Sequence, residues 1–354
     1  MKTLVVKISL SAILSIGMLT IPIKTEACTR VVYKGPNNTV ITARSMDFTL
    51  DIPANLWLFP RGMERDGSTG NNTIKWTSKY GSIATSSWDI ATSDGMNEKG
   101  LNANMLWLVS SQYPEFAKDG GSKKGLAVSL WAQYALDNFA TVAEAVAQFK
   151  KEEFVVVTDF IPGTDKYTTV HLSLSDALGD NAIIEYIGGK LVIHHDPSYT
   201  VMTNDPIFEE QLVINEYWKG IPGNIFLPGT NRAADRFVRA TYYIDAIPQT
   251  DNTRVALAGA FSVIRNCSVP YGISTEGFPN LSTTRWRIVA DQKNLVYYFE
   301  DALSPNTVWV DLKKIDFSQK TGKVKKLSLD KQQVYAGETS DKFTNSQPFV
   351  FQGI

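Results

Sequence analysis

Short runs of alternating or continuous apolar residues recur along this chain, and they are bounded by turn-forming residues. Runs of this length, rich in β-branched and aromatic residues, predict β-strands. Between the first two runs lies Gly35-Pro36-Asn37-Asn38, which is typical of a tight turn. A further pair of runs, over 182–193, surrounds Gly188-Gly189 and predicts a hairpin. Strands are expected over 30–33, 39–44, 56–60, 73–76, 83–86, 170–175, 295–300 and 307–312.

Other segments place their apolar residues three or four positions apart, which predicts amphipathic helices. These segments are 125–139, 141–151, 207–218 and 233–246. In the second of them, Thr141 precedes the apolar face and is a suitable N-cap. The order of strands, helices, strands, helices and strands favours an α+β fold with mixed layers over a doubly wound parallel sheet. The sequence contains no internal repeat, no GxGxxG motif and no P-loop.

The first 27 residues have the layout of a secretory signal peptide. Lys2 and Lys7 make the start basic, an apolar stretch of 16 residues follows over 8–23, and Ala27 ends an A-x-A-like cleavage site. That stretch is shorter than the ~20 residues that a membrane-spanning helix needs. We therefore expect residues 28–354 to form a single exported domain, periplasmic or secreted, that leaves the membrane after processing.

The charge balance points away from polyanionic partners. The chain has a formal net charge of −1, and removal of the signal, which carries three lysines and one glutamate, brings it to −3. This gives no electrostatic reason to expect binding of nucleic acid or of an anionic membrane surface. With two cysteines and three histidines in the whole chain, no metal-site spacing is present.

Cys28 directly follows the predicted cleavage point, and three interpretations of it compete. It could form a disulfide with Cys267, carry a lipid, or become the first residue of a processed enzyme. A chain of this size does not depend on a disulfide for a sufficient core. Thr25 and Glu26 do not fit a lipid attachment site, which needs an apolar residue three positions before the cysteine.

The third interpretation gives one residue both a nucleophile and a base. An α-amino group has a pKa of about 7.7–8.0, against about 10.4 for lysine, so it can accept a proton near neutral pH. A cysteine thiol, with a pKa of about 8.5, is a strong nucleophile when ionised. Amino-terminal nucleophiles of this kind need no histidine, and no Cys/His pairing is evident here.

Five separated motifs resemble the choloylglycine hydrolase family, which includes bile salt hydrolases and penicillin V acylases. They are CTRVVY, TARSMDF, DGMNEKGL, VMTNDP and LPGTNRAADRFVR, within a resemblance that runs from Cys28 to about Phe317. The segments at 78–101, 135–146 and 284–294 are most similar to the Gram-negative branch. The resemblance implies the αββα sandwich of amino-terminal-nucleophile (Ntn) hydrolases. It also implies a homotetramer and no cofactor or metal.

The resemblance also implies roles for individual residues. Cys28 matches the nucleophile, and Arg44 matches an arginine beside the thiol that would favour its ionised form. Asp47 matches the aspartate that binds the α-amino group. Asn204 matches the donor to the oxyanion, and Arg236 matches the arginine of the RFVR segment.

Each of these positions also has a purely structural interpretation. Arg44 and Asp47 could form a surface ion pair. Asn204 precedes Asp205-Pro206 and could simply belong to a turn. Arg236 lies in a charged helix start and could face the solvent.

The resemblance places the acyl pocket around Met46, Phe48 and Trp107, with Trp57 and Phe59 as weaker candidates. Trp107 occupies a position where many family members have asparagine or tyrosine. Its indole can donate one hydrogen bond but cannot accept one, so it cannot replace an asparagine, although it could form an aromatic wall. The structural alternative is that Trp107 is an ordinary core residue.

These observations predict a linear amide hydrolase that acts on a small molecule with an apolar acyl part. Glycine- or taurine-conjugated bile salts are slightly favoured as substrates over penicillin V or acyl-homoserine lactones. An exported binding protein without catalysis is the alternative from another class.

The amino-terminal mechanism makes a direct prediction. Cys28→Ala should abolish amide hydrolysis, and so should any residue retained before Cys28, because a peptide nitrogen cannot act as the base. Hydrolysis assays combined with mass spectrometry of the mature N-terminus measure both effects, with Cys267→Ala as the control that keeps turnover. Full activity in a chain that still begins Met-Cys would contradict the mechanism.

Overall fold

The computed structural model of the protein describes residues 27–273, 282–329 and 334–354. The predicted signal peptide therefore lies outside the described residues, except for Ala27. In this part of the chain the α-helices are α1 (Trp131–Asn138), α2 (Val142–Phe149), α3 (Phe208–Lys219), α4 (Ala233–Ala246) and α5 (Thr253–Asn266). Short 3-10 turns occupy Val128–Leu130 and Leu312–Lys314.

The strands fall into an amino-terminal and a carboxy-terminal set. Up to residue 157 they are β1 (Thr29–Gly35), β2 (Thr39–Phe48), β3 (Asn55–Phe59), β4 (Glu64–Asp66), β5 (Lys75–Thr77), β6 (Ser82–Ser87), β7 (Ala91–Asn97), β8 (Asn102–Trp107), β9 (Lys124–Ala127) and β10 (Phe154–Val157). The later strands are β11 (Val170–Ser175), β12 (Asn181–Ile187), β13 (Lys190–His195), β14 (Val201–Met202), β15 (Thr283–Asp291), β16 (Val296–Asp301), β17 (Thr307–Asp311), β18 (Lys325–Ser328), β19 (Gly337–Glu338) and β20 (Thr344–Asn345).

Two large sheets lie between two layers of helices. Over the described residues, the first sheet has the order β14-β1-β2-β15-β16-β17-β19, and the second has the order β13-β12-β11-β8-β7-β6-β3-β18-β20. Helices α4 and α5 pack on the first sheet and α3 packs on α4, while α1 and α2 pack on the second sheet. This arrangement confirms the predicted αββα sandwich. Among the described residues, no helix is long and apolar enough to cross a membrane.

Strand β2 lies in the interior of the first sheet, and all ten of its residues are buried. It pairs antiparallel with β1 on one side and with β15 on the other. Because side chains alternate along a strand, Arg44, Met46 and Phe48 share one face, while Ser45 and Asp47 share the other. The alternation therefore decides which residues of TARSMDF can reach a common cavity.

Several predicted elements are confirmed together with the local chemistry that specifies them. In the turn between β1 and β2, Asn37 and Asn38 have φ angles of 54° and 56°, a conformation that asparagine tolerates. Gly188 and Gly189 join β12 to β13 with φ angles of 58° and 74°. At the start of α2, the Thr141 Oγ1 accepts a hydrogen bond from the Glu144 N–H at 3.2 Å, as expected of an N-cap.

The helix predicted over 125–139 is wrong in its first half. Residues Lys124–Ala127 form β9, which pairs in parallel with Phe154–Val157, and helix α1 begins only at Trp131. Small and apolar residues satisfy either structure, so pairing with a strand distant in sequence decides the outcome.

Several elements were not predicted, among them β7, β8, β15 and α5. Strands β7 and β8 contain Gly95 and several asparagines, which have low strand propensity and hide the alternation. Helix α5 did carry a recognisable start signal, because the Asn252 side chain accepts hydrogen bonds from the N–H groups of Arg254 and Val255.

A buried tyrosine connects the two sheets. The Tyr297 hydroxyl, on β16, lies 2.8 Å from the Thr85 Oγ1 and donates to the Asp94 carboxylate at 2.7 Å, and both partners belong to the second sheet. Burial raises the pKa of Asp94 to about 6, against the opposing charge of Arg44. The hydroxyl therefore satisfies a carboxylate that has little access to water.

Tyr297→Phe should lower the free energy of unfolding by about 1–3 kcal/mol, because it leaves buried polar partners of the hydroxyl unsatisfied. Urea unfolding followed by circular dichroism measures the loss. The matched control is Tyr298→Phe, since that ring packs on Phe261 and Trp309 and is only partly buried. Equal effects of the two substitutions would show that the link between the sheets contributes nothing.

Candidate active site

Cys28 lies directly before β1, and only 2% of its surface is exposed. The pairing of Thr29 with Ser45 brings it beside the carboxy-terminal half of β2. Its Sγ lies 3.7 Å from the Arg44 Nη2, 3.9 Å from the Met46 Sδ and 3.8 Å from the Asp47 carbonyl oxygen. The thiol is therefore in contact with the strand that the TARSMDF motif forms.

The side-chain amide of Asn204 joins three separate parts of the chain. Its Oδ1 accepts hydrogen bonds from the Cys28 backbone N–H at 2.5 Å and from the Arg236 Nη2 at 2.9 Å. Its Nδ2 donates to the Trp107 carbonyl oxygen at 2.7 Å. These bonds use one of the two Nδ2 hydrogens and leave the other available. Asn204 is thus much more than a turn residue.

Arg236 is fully buried, so the interpretation of it as a solvated surface residue is wrong. Its Nη1 donates to the Cys28 carbonyl oxygen at 2.5 Å and to the Thr29 Oγ1 at 2.6 Å. Its Nε donates to the Asn231 carbonyl oxygen at 3.0 Å. The guanidinium therefore fixes the backbone on the carboxy-terminal side of the nucleophile.

Asp47 is also fully buried, and its carboxylate faces away from the cavity. The carboxylate accepts hydrogen bonds from the hydroxyls of Ser45, at 3.0 Å, and of Thr284. Burial raises the pKa of Asp47 to about 6, against the opposing charge of Arg236. In this chain Ala27 still precedes Cys28, so the Cys28 nitrogen is a peptide nitrogen, and its hydrogen bond goes to Asn204.

Arg44 is completely buried, which excludes a surface ion pair with Asp47. Its Nη2 donates to the Met105 carbonyl oxygen at 2.8 Å, and the guanidinium lies over the Trp286 ring, 4.5 Å from its centroid. Its Nε and Nη1 have no hydrogen-bond partner among the described residues. A charged group with unused donors therefore lines the cavity next to the thiol.

Burial raises the pKa of the Cys28 thiol above its ordinary value, and the charge of Arg44 opposes this rise without cancelling it. The charge of Arg44 thus acts in the direction expected from the sequence, and burial has the larger effect. A neutral thiol needs a base before it can attack. That requirement is consistent with a catalytic role for an α-amino group on the same residue.

Both cysteines are free thiols, so the structure contains no Cys28–Cys267 disulfide. Cys267 is fully buried at the end of α5, where its Sγ lies 3.9 Å from the Arg236 carbonyl oxygen. Burial raises the pKa of Cys267 to about 11, which keeps this second thiol unreactive at neutral pH.

A cavity of about 110 Å³ opens beside the Cys28 thiol and is lined mostly by apolar side chains. Met46, Phe48 and Trp107 all line it, as predicted. The Phe48 ring meets the Trp107 ring edge to face at a centroid distance of 6.0 Å, and it meets the Trp88 ring in the same way at 6.3 Å. Trp107 is therefore a cavity wall, whereas its contact with Asn204 is made by its backbone carbonyl.

The two weaker pocket candidates were wrong. Trp57 and Phe59, on β3, stack on each other and pack against Phe349 in a separate small core. The alternation along β3 directs both rings to the same face, and that face does not border the cavity.

Sequence reasoning missed the part of the cavity wall opposite the motifs. Trp88 follows the end of β6, and Asp159 and Gln352 come from a loop and from the carboxy-terminal tail. The Gln352 side chain donates to the Asp159 carboxylate at 3.1 Å and to the Phe160 carbonyl oxygen at 2.8 Å. Among these residues, only Trp88, within the segment 78–101, carried a signal in the sequence.

The arrangement combines a thiol and a guanidinium, which line an apolar cavity, with a neighbouring amide that has a free hydrogen. Such a site can attack a carbonyl carbon and stabilise the resulting oxyanion. Among the described residues, no group of His, Cys, Asp and Glu side chains could hold a metal ion.

Comparisons with known proteins give a consistent result. Residues 28–326 match the linear amide C–N hydrolases of the choloylglycine hydrolase family. The chain is 51% identical over 349 residues to a penicillin V acylase from Pectobacterium atrosepticum, and the match covers 93% of each chain. A solved penicillin V acylase from Agrobacterium tumefaciens is 55% identical with a TM-score of 0.86, over 92% of this chain and all of that one. A conjugated bile acid hydrolase from Clostridium perfringens shares the fold, with 20% identity and a TM-score of 0.74. That match covers 87% of this chain and 98% of the other.

Arg44→Gln should make the Cys28 thiol harder to ionise, because it removes the main charge that opposes the effect of burial. We expect the pH midpoint of Cys28 alkylation by iodoacetamide to move upward by about one pH unit, the lower end of the effect of a neighbouring charge. Alkylation rates are measured on Cys28 peptides by mass spectrometry. Arg285→Gln is the control, since that arginine binds the backbone of Phe48 and Thr49. An unchanged profile in Arg44→Gln would refute the electrostatic coupling.

Proposed function

Because this chain belongs to the choloylglycine hydrolase family of linear amide C–N hydrolases, we propose that it cleaves N-acyl amides whose acyl part carries a single aromatic ring. We also propose that the protein is exported and that it begins at Cys28 once processed. Phenoxyacetyl amides such as penicillin V are the preferred class. Membership of a hydrolase family sets aside the alternative of a non-catalytic binding protein.

The cavity beside Cys28 carries this proposal. Its volume of about 110 Å³ is close to that of an apolar protein cavity of ~150 Å³ that binds benzene. Phe48, Trp88 and Trp107 provide aromatic edges and faces, with which an aryl ring packs favourably. The fused four-ring skeleton of a bile acid is much larger than benzene and would have to extend beyond this space. The geometry therefore favours an aryl acyl group over a bile acid, the reverse of the slight preference from the sequence.

The catalytic cycle follows from the groups around the thiol. The amide carbonyl lies over Cys28, and the α-amine takes the thiol proton as sulfur attacks the carbonyl carbon. The Nδ2 hydrogen of Asn204 that its bond to Trp107 leaves free stabilises the developing oxyanion, and the positive charge of Arg44 beside the thiol favours it. The protonated amine then gives its proton to the leaving nitrogen, the C–N bond breaks, and a thioester remains. Water, deprotonated by the same amine, cleaves the thioester and releases the carboxylic acid.

The two penicillin V acylases that are at least 51% identical to this chain support the same substrate class. Their matches extend over more than nine tenths of this chain. The bile acid hydrolase comparison, at 20% identity, supports the fold alone. Bile salts therefore remain an alternative outcome of the substrate test.

The test is a panel of substrates assayed with protein whose N-terminus is verified as Cys28. We expect kcat/KM for penicillin V to exceed the values for glycocholate and taurocholate by at least about tenfold, because one methylene group in an apolar pocket already changes discrimination by about ten- to 200-fold. A long-chain acyl-homoserine lactone completes the panel. Faster hydrolysis of either bile salt would overturn the assignment of substrate class while leaving the family intact.

The matched control for this panel compares two tryptophans. Trp107→Ala removes a wall of the cavity and should raise KM for penicillin V several-fold, whereas Trp57→Ala removes a tryptophan of the separate core and should leave KM unchanged. Equal effects on KM would show that the aryl group does not occupy this cavity.

A further inference from the structure

A single buried carboxylate holds one end of the loop that carries Asn204. Glu185, on β12, is fully buried, and both of its carboxylate oxygens lie 3.2 Å from the backbone N–H of Phe208, the first residue of α3. Two histidines of the neighbouring strands complete its surroundings. The His171 Nδ1 lies 3.0 Å from Oε1, and the His194 Nε2 lies 3.3 Å from Oε2.

His171 extends this contact to the other end of the loop. Its Nε2 lies 2.8 Å from the carbonyl oxygen of Thr203, the residue directly before Asn204. A carboxylate and a carbonyl oxygen can only accept hydrogen bonds, so each ring nitrogen must carry a hydrogen. His171, only 1% exposed, therefore links Glu185 to the loop through both ring nitrogens.

The electrostatics of Glu185 agree with this arrangement. Burial on its own would raise the pKa of Glu185, but the hydrogen bonds from His171 and His194 outweigh it and lower the pKa to about 2. The carboxylate is thus charged at any pH at which the enzyme would work. A charged carboxylate this deeply buried is stable only when its oxygens are hydrogen bonded, as they are here.

The rest of the loop is fixed from the opposite side. The Asp205 carboxylate accepts hydrogen bonds from the backbone N–H groups of Val109 and Ser110, at 2.7 and 2.9 Å. The Gln211 Nε2 donates to the Asn204 carbonyl oxygen at 3.2 Å. At the Thr203 end, the Thr203 hydroxyl donates to the Ala233 carbonyl oxygen at 3.0 Å, and His171 holds the backbone carbonyl.

We propose that His171, oriented by Glu185, is a positioning residue for hydrolysis: through its bond to the Thr203 carbonyl it holds the Asn204 amide at the distance from Cys28 that oxyanion stabilisation needs. It touches neither the substrate nor the thiol. The proposal concerns the family reaction and does not depend on which acyl group the enzyme prefers.

Two isosteric substitutions separate the two bonds of the ring. In His171→Gln the amide nitrogen takes the place of Nε2 and can still donate to Thr203, whereas in His171→Asn it takes the place of Nδ1 and can donate only to Glu185. We expect His171→Asn to lower kcat by about 10- to 100-fold with KM within about threefold, because small displacements of a catalytic group have effects of that size. His171→Gln should recover most of that loss.

Kinetics are measured with whichever panel substrate the unmodified enzyme cleaves fastest, so a wrong substrate class does not affect the result. The concentration of active sites is obtained by titrating Cys28 with iodoacetamide. The control is His195→Asn, because His195, the last residue of β13, pairs at 2.8 Å with Asp180, directly before β12, but lies far more exposed. Its kcat should be unchanged.

A kcat per active site that is normal in His171→Asn, or equally low in both His171 variants, would overturn the proposal. If neither variant folds, ¹⁵N-histidine NMR of the unmodified enzyme decides. A buried ring whose Nε2 carries a hydrogen at pH 7 supports the positioning role, and a His171 with no hydrogen on Nε2 overturns it.

Discussion

The Asn204 side-chain amide is the contact on which the site depends. It binds the Cys28 nitrogen, the Arg236 guanidinium and the Trp107 carbonyl, which belong to elements far apart in sequence. An amide suits this role because it accepts on one side and donates on the other. A carboxylate at the same place could not donate to the carbonyl of Trp107. The neutral side chain of Asn204 therefore fixes the position of Cys28, directly before β1, relative to Trp107 at the end of β8.

Burial explains both the reactivity of the Cys28 thiol and the energetic cost of placing charged groups around it. Arg44, Asp47 and Arg236 are all fully buried around the thiol. Charged groups in such surroundings are stable only when they are paired and hydrogen bonded, and the contacts from Ser45 and Thr284 meet much of that need for Asp47. The same burial raises the pKa of the thiol, so the nucleophile needs a base close by. The need for an amino-terminal base is thus a consequence of burying the thiol in a core that excludes water.

The elements that could be predicted are those with strong local signals. The hairpin at Gly188-Gly189, the cap at Thr141 and the helix over Ala233–Ala246 all have such signals and are present. The strands β7 and β8 could not be predicted, because their polar residues are satisfied inside the sandwich. For example, the Asn104 side chain donates to the Asp94 carboxylate at 2.6 Å. A sequence pattern treats such residues as exposed, and only their partners show that they are buried.

The sequence by itself determined the local chemistry: a cysteine after a predicted cleavage site, the alternation that puts Arg44, Met46 and Phe48 on one face, and five motifs that resemble one hydrolase family. The tertiary structure decided which groups meet. It placed Trp107 in the cavity wall, Trp57 outside it, Gln352 across from the motifs and His171 behind Asn204. The physical reason is that periodicity reports the face on which a side chain lies. The partner that it meets there depends on strand order and on contacts between residues that lie far apart in sequence, such as Gln352 and Asp159.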